Sequence, residues 1–192
     1  LSDEKTLITN AQKPAKFLGF DIFIRRSNDL RKDINGKTIR SLGHVPVLYL
    51  NYETMRKKLF DYKAARIAVE NGKEIWKSIV RTYMIDLDDL EIVSQFNAEI
   101  RGFYNYYSIA NNSPAINSFY HIMSYSMYKT FARKYKSSVK KILFQYKKDG
   151  TFKVAYENSK GKTLYQSFYH DGFKRKKIAG ATSCDTIPRT VT

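Results

Sequence analysis

The sequence predicts an α+β fold in which β-hairpins at the two ends of the chain enclose a bundle of about three helices. Three observations predict it. Residues 1–48 hold β-branched and aromatic runs broken by Pro14, Asn35-Gly36 and Pro46. Apolar residues then recur three and four positions apart through residues 49–148. Residues 149–192 return to short β-forming runs around Asp149-Gly150 and end in a basic tail. These spans are the expected organisation of the chain, and 192 residues can bury a sizeable core.

Taken in order, residues 6–9 and 15–24 read as the two strands of a hairpin around the Lys13-Pro14 turn signal. Residues 28–43 are polar and centred on Asn35-Gly36, a turn or a loose ribbon. Residues 45–50 form a short strand that Pro46 confines to a sheet edge. Asn51 can cap a first helix carrying Met55, Leu59, Tyr62 and Ile67 on one face and ending at Asn71-Gly72. A second helix follows the acidic run Asp86, Asp88, Asp89, Glu91, with Val93, Phe96, Ile100, Phe103 and Tyr107 toward the core. Ser113-Pro114 opens a third, cap followed by proline, through Ile116, Phe119, Tyr120, Met123, Met127 and Phe131. Ser137-Ser138 either starts a short fourth helix or bends the third. Residues 151–157 and 162–169 pair as a closing hairpin around a turn at 158–161.

Charge is distributed unevenly along this framework. The chain carries 34 Lys+Arg against 18 Asp+Glu, a net charge of +16. Residues 1–46 contribute +4, residues 47–120 contribute nothing, and residues 121–192, with sixteen bases and four acids, contribute +12. A basic excess focused on the last third is the footprint of a surface facing a polyanion. Cys184 is the only cysteine, which excludes an internal disulfide or a CxxC zinc site. No apolar run approaches the ~18 residues of a membrane helix, and the lack of a large amphipathic basic helix with exposed Trp or Phe argues against a membrane partner. The chain opens on Leu1 in what reads as mid-domain sequence, as expected of a piece of a longer protein.

No catalytic constellation emerges. His44, His121 and His170 lack metal-ligand spacing, and neither a GxxxxGK loop nor a GxSxG elbow is present. The acids at 86–91 read as residues favoured by the positive end of a helix, not as a two-metal site. Cations and rings are the informative features instead. On the third helix, Lys129, Arg133, Lys136 and, if the helix continues, Lys140 fall on a stripe away from the apolar face, and Tyr125 lies on that stripe. Bases without compensating acids beside an aromatic ring suit a phosphate backbone and its bases. Residues 174–177, Lys-Arg-Lys-Lys, repeat the signal more weakly. On the second helix, Phe103 and Tyr107 project with the core and Tyr104 lies at its boundary. Arg101, Asn105 and Tyr106 point elsewhere and are the candidates on this helix for contact with a nucleic acid, which the family resemblance below implies to be RNA.

Two pairs of segments carry a family resemblance. Leu1-Ser-Asp-Glu-Lys-Thr-Leu-Ile-Thr9 with Pro14-Ala-Lys-Phe-Leu-Gly-Phe-Asp-Ile22 resembles the last two blocks of a reverse-transcriptase palm. Ile100-Arg-Gly-Phe-Tyr-Asn-Tyr-Tyr107 and Ser124-Tyr-Ser-Met-Tyr-Lys-Thr-Phe-Ala132 resemble the maturase domain, domain X or thumb, of group II intron-encoded proteins. The resemblance implies a protein that binds its own intron RNA, assists splicing, and positions a template-primer duplex for RNA-directed DNA synthesis. It implies that Phe17, Leu18, Gly19 and Phe20 match the primer-grip turn, where close approach of a nucleic acid would favour glycine. The family's metal-binding aspartates precede the block matched by residues 17–20, so this chain alone is expected to be inactive as a polymerase; Mg²⁺ is expected for the full-length enzyme and no cofactor for this segment. A homodimer is compatible with the resemblance, and a bacterial cytoplasmic ribonucleoprotein is favoured over an organellar matrix. A stand-alone RNA-binding splicing factor or chaperone, and a DNA- or membrane-surface-binding basic domain, are the alternatives.

Overall fold

The structure, a computed structural model, describes residues 10–25, 30–40 and 45–176. The strand expected at residues 6–9 and the tail from Lys177 onward lie outside the described residues. β1 (Ala15–Phe17) and β2 (Phe20–Arg25) form a tight hairpin in which Phe17 pairs with Phe20. Leu18 and Gly19 between them have φ of 50° and 81°, the double positive φ of a type I′ turn. The run 15–24 is therefore a hairpin in itself rather than one strand, because Gly19 lets the chain reverse in its middle. β3 (Leu30–Lys32) and β4 (Thr38–Arg40) are the ribbon around Asn35-Gly36.

β5 (Val45–Leu50) pairs antiparallel with β2 and forms the rim of a sheet ordered β1-β2-β5, the edge position that Pro46 demands. Its outer side is covered by side chains acting as backbone. Asn111 Oδ1 accepts from Leu48 N at 3.1 Å, Asn112 Oδ1 accepts from Leu50 N at 2.7 Å, and Asn112 Nδ2 returns a bond to Leu50 O at 3.0 Å. Two adjacent asparagines thus hide an edge that would otherwise invite another strand.

Asn51 caps α1 (Tyr52–Asp61), accepting from Glu53 N at 2.7 Å. The helix stops there, ten residues short of the expected Asn71-Gly72. Beyond it, β6 (Ala65–Glu70) and β7 (Lys73–Ser78) form a hairpin closed by Asn71 and Gly72 at φ 52° and 73°. Asn-Gly is the preferred type I′ dipeptide, and Ile67 pairs across the strands with Trp76 instead of continuing the α1 face. The local turn chemistry won over an apparent helical period.

α2 (Asp89–Tyr107) buries Ile92, Val93, Phe96, Asn97, Ile100, Phe103 and Tyr107, the expected face with Ile92 and Asn97 added. α3 (Ile116–Lys134) is entered through a 3₁₀ turn, Ser113–Ala115, in which Ser113 Oγ donates to Phe173 O instead of capping the helix. α4 (Val139–Tyr146) is a separate helix, its Ser138 cap accepting from Lys141 N. β8 (Lys147–Lys148), β9 (Thr151–Glu157) and β10 (Thr163–Ser167) close the molecule as a three-stranded antiparallel sheet.

One apolar cluster joins Phe20 in the first sheet to Phe173 beyond the last strand, with α2 and α3 at its centre. Phe103 of α2 stacks on Phe119 of α3 with centroids 4.2 Å apart. Buried Asn97 ties α2 to the end of β10, donating to Ser167 O and accepting from Tyr169 N, each at 2.8 Å. The result is a mixed α/β molecule of four helices and several small sheets among the described residues.

Candidate nucleic-acid interface

The basic row on α3 runs Tyr125, Lys129, Arg133, each one i+4 step from the last. It does not extend as a single helix. α3 ends at Lys134, and Lys136 takes a left-handed φ of 45° that reverses the chain before α4. Lys140 is exposed on α4 and does not line the cavity that the others form. That cavity, of about 870 Å³, is walled by Lys129, Arg133, Lys134 and Lys136 with Val80, Ile85, Asp86, Ala132, Ser137 and Val139.

Its four cations are not equivalent. Lys129 is half-buried and donates to Ser78 O at 2.7 Å, riveting α3 to the end of β7. Lys134 donates to Leu87 O and to Asp89, both at 2.7 Å. Burial would lower Lys134, but the Asp89 hydrogen bond and charge outweigh it and hold the ammonium above the ordinary lysine value. The side chains of Arg133 and Lys136 are exposed and have no hydrogen-bond or acidic partner among the described residues. They are the two cations of this cavity free to meet a phosphate. Tyr125 is 41% exposed, with His121 4.7 Å away.

The acids before α2 serve the helix. Asp88 and Glu91 form a capping box, Glu91 Oε2 accepting Asp88 N at 3.3 Å. Asp89 receives Lys134, Tyr135 and Tyr146, joining the start of α2 to the end of α3 and to α4. Burial and these contacts push the Tyr146 hydroxyl far above the ordinary tyrosine value.

A second basic patch forms where sequence-distant residues meet. Arg101, Tyr104 and Asn105 of α2 line a cavity of about 360 Å³ with Tyr169, Asp171, Gly172 and Lys176. Lys176 reaches Asn105 Oδ1 at 3.3 Å and lies over the Tyr104 ring, while Tyr104 Oη donates to Lys174 O at 2.7 Å. The weak tail signal at 174–176 is thereby brought beside Arg101.

Tyr106 goes elsewhere. It stacks on Phe20 at 5.7 Å and its hydroxyl donates to Leu18 O at 3.0 Å, bracing the β1–β2 turn. Phe17 and Leu18 at that turn are 60% and 66% exposed, whereas Phe20 is buried. Gly19 faces the protein: a Cβ there would overlap the Tyr107 hydroxyl and lie 3.6 Å from Thr54 Cγ2, and Thr54 Oγ1 donates to Gly19 O. Room for Tyr107 and a positive φ account for the glycine without a nucleic acid. Gly19→Ala is accordingly expected to lose about 1–3 kcal/mol of stability, measured by urea unfolding. Tyr107→Phe in the same chain should restore part of it by removing the overlapping oxygen.

A family model described as type II intron maturase matches residues 49–181. The chain is also similar to the group II intron-encoded protein LtrA of Lactococcus lactis subsp. cremoris, at 38% identity over 163 residues, 84% of this chain and 27% of that protein. It is similar to a putative COX1/OXI3 intron 1 protein of Saccharomyces cerevisiae, at 32% identity over 148 residues, covering 71% of this chain and 17% of that protein. The chain thus spans a minor part of the length of the curated relatives it matches.

Proposed function

This chain belongs to the type II intron maturase family, and from that premise we propose that it binds group II intron RNA to assist splicing and helps position a template-primer duplex for reverse transcription. The polymerase aspartates, with their Mg²⁺, belong on this reading to sequence outside the chain, and no catalytic step is assigned to its own residues. Intron RNA is the principal partner, in a bacterial cytoplasmic ribonucleoprotein, with self-association as a dimer an additional property to test. A stand-alone splicing factor without polymerase activity is the alternative within the same family.

The observation that carries the proposal is the pair Arg133 and Lys136: exposed, without acidic partners among the described residues, and lining one broad cavity. Tyr125 and Lys129 extend that surface along α3, Lys140 adds a charge on α4, and Arg101 with Asn105 forms a second contact beside Lys176. Phe17 and Leu18 offer an exposed apolar tip that, on the primer-grip resemblance, would face the primer strand. Tyr106 supports that tip from behind.

Replacing Arg133 and Lys136 together by alanine is expected to flatten the dependence of log K on log salt by about 1.4, at roughly 0.7 per lost phosphate contact. Filter binding of intron RNA across a salt series measures it. An unchanged slope would remove this cavity from the interface. Lys129→Ala should differ, loosening the β7–α3 contact as well as binding.

A further inference from the structure

The chain's only tryptophan lies outside both basic patches. Trp76, on β7, stacks on Tyr52 at the start of α1, with ring centroids 4.2 Å apart and planes 28° from parallel. Together with Glu74 and Ile75 these rings form one wall of a cleft of about 490 Å³ whose other wall is Asn117, Ser118, His121 and Ile122 of α3. Tyr52 is 53% exposed. His121, exposed on the opposite wall, is in turn in contact with the exposed ring of Tyr125.

The cleft is held in shape. Glu74 Oε1 accepts Trp76 Nε1 at 2.9 Å and pairs with Arg56 Nε at 2.9 Å, so the indole is fixed from its edge while its face packs on Tyr52. Ser126 Oγ donates to Ile79 O and Lys129 Nζ to Ser78 O, both at 2.7 Å, which pins the end of β7 to α3 and sets the separation of the two walls. Prearranged rings lose little conformational entropy when something stacks on them. The polar groups around them, a carboxylate, an amide and a hydroxyl, are of the kinds that read the edge of a base.

We propose that this cleft between β7 and α3 is a stacking site for an unpaired RNA base. The proposal rests on the RNA-binding reading above and adds to it a site for single-stranded RNA distinct from the phosphate-facing cations. Aromatic walls with polar edge groups take an unstacked base, whereas a duplex keeps its bases stacked on one another and offers the cleft no ring face. Tyr125 connects the two regions, adjoining His121 here and heading the row that leads to Arg133. A strand could thus place a base between Tyr52–Trp76 and His121 while its backbone follows α3.

Because Trp76 is the only indole, its fluorescence reports this cleft alone. The full chain is titrated with end-labelled single-stranded oligoadenylate, recording Trp emission and label anisotropy together. Quenching of Trp76 in step with the anisotropy rise is expected, with a blunt-ended RNA duplex of equal length quenching much less. His121→Ala and Tyr52→Leu, both at exposed positions, are expected to weaken oligoadenylate binding roughly 5- to 150-fold, the range of one lost base stack. Anisotropy that rises without quenching would overturn the base site while leaving RNA binding intact, and would assign the cleft, flanked by exposed Ile67 and Val69, to a protein partner. Absence of any anisotropy change with oligoadenylate and with intron RNA alike would overturn both readings.

Discussion

Phe103→Ala is expected to lose about 3–5 kcal/mol, enough to leave a domain of ordinary stability partly unfolded. Phe103 is 4% exposed, lies parallel to Phe119 at 4.2 Å, and touches Tyr107 at 4.7 Å. Truncation would open a cavity at the crossing of α2 and α3, and Phe119 and Tyr107, both anchored in the same cluster, cannot collapse into it. Urea unfolding followed by far-UV circular dichroism should show the midpoint falling. Retention of the native midpoint with loss of intron RNA binding would mean that this ring meets the ligand. The neighbour Tyr106 provides the contrast: half exposed, it loses only one hydroxyl bond to Leu18 O when replaced by Phe.

That contrast shows what the sequence made legible. A long helix with apolar positions every three or four residues projects its own inside and outside, so the α2 core and the row Tyr125, Lys129, Arg133 could be read from the 100° step alone. Two kinds of feature could not. One is competition between local signals: the apparent helical period through Ile67 lost to Asn71-Gly72, whose left-handed preference closes a hairpin and creates the wall that carries Trp76. The other is the final partner of a long polar side chain. Lys129 and Arg133 look alike on a wheel, yet one ammonium is engaged by Ser78 O and the other cation is free to bind. The wheel likewise turned Tyr106 outward without revealing the β1–β2 turn beside it.

The same limit explains the pairing of surfaces. Arg101 and Lys176 are 75 positions apart, and only the return of the chain after β10 along α2 brings them to one cavity. The stretch between β7 and α2 was electrostatically silent in the sequence because its block balances to zero. Its single most consequential charge is in that block.

Glu99→Ala is expected to be as damaging as the loss of a core ring, at about 3–5 kcal/mol. Its partner Arg81 follows β7 and has a fully buried side chain, with Nη1 2.7 Å from Glu99 Oε2 and Glu99 itself only 9% exposed. The pair is close enough to be ionic but not aligned as a hydrogen bond, and Arg81 Nε has no acceptor among the described residues. The guanidinium lies 4.0 Å over the Phe96 ring and its Nη2 is 3.4 Å from Met123 Sδ, neighbours that cannot replace a carboxylate. Arginine cannot escape by releasing its proton, so removing Glu99 strands a positive charge in an apolar setting. Arg81→Met combined with Glu99→Leu should recover most of the loss, since a well-packed apolar pair dispenses with both desolvation terms. Urea midpoints of the single and double variants decide the matter. Because the pair is buried, the Glu99→Ala loss should persist when salt is raised, whereas RNA binding through Arg133 and Lys136 falls steeply. A stability loss that disappears in high salt would place the contact in solvent. Arg81 also donates its backbone N–H to Thr130 Oγ1 at 3.1 Å, so this one residue fixes β7 against α2 and α3 together. One charge that fixes β7 against α3 is therefore internal, whereas Lys129, which pins the same strand through Ser78 O, also belongs to the surface expected to meet RNA.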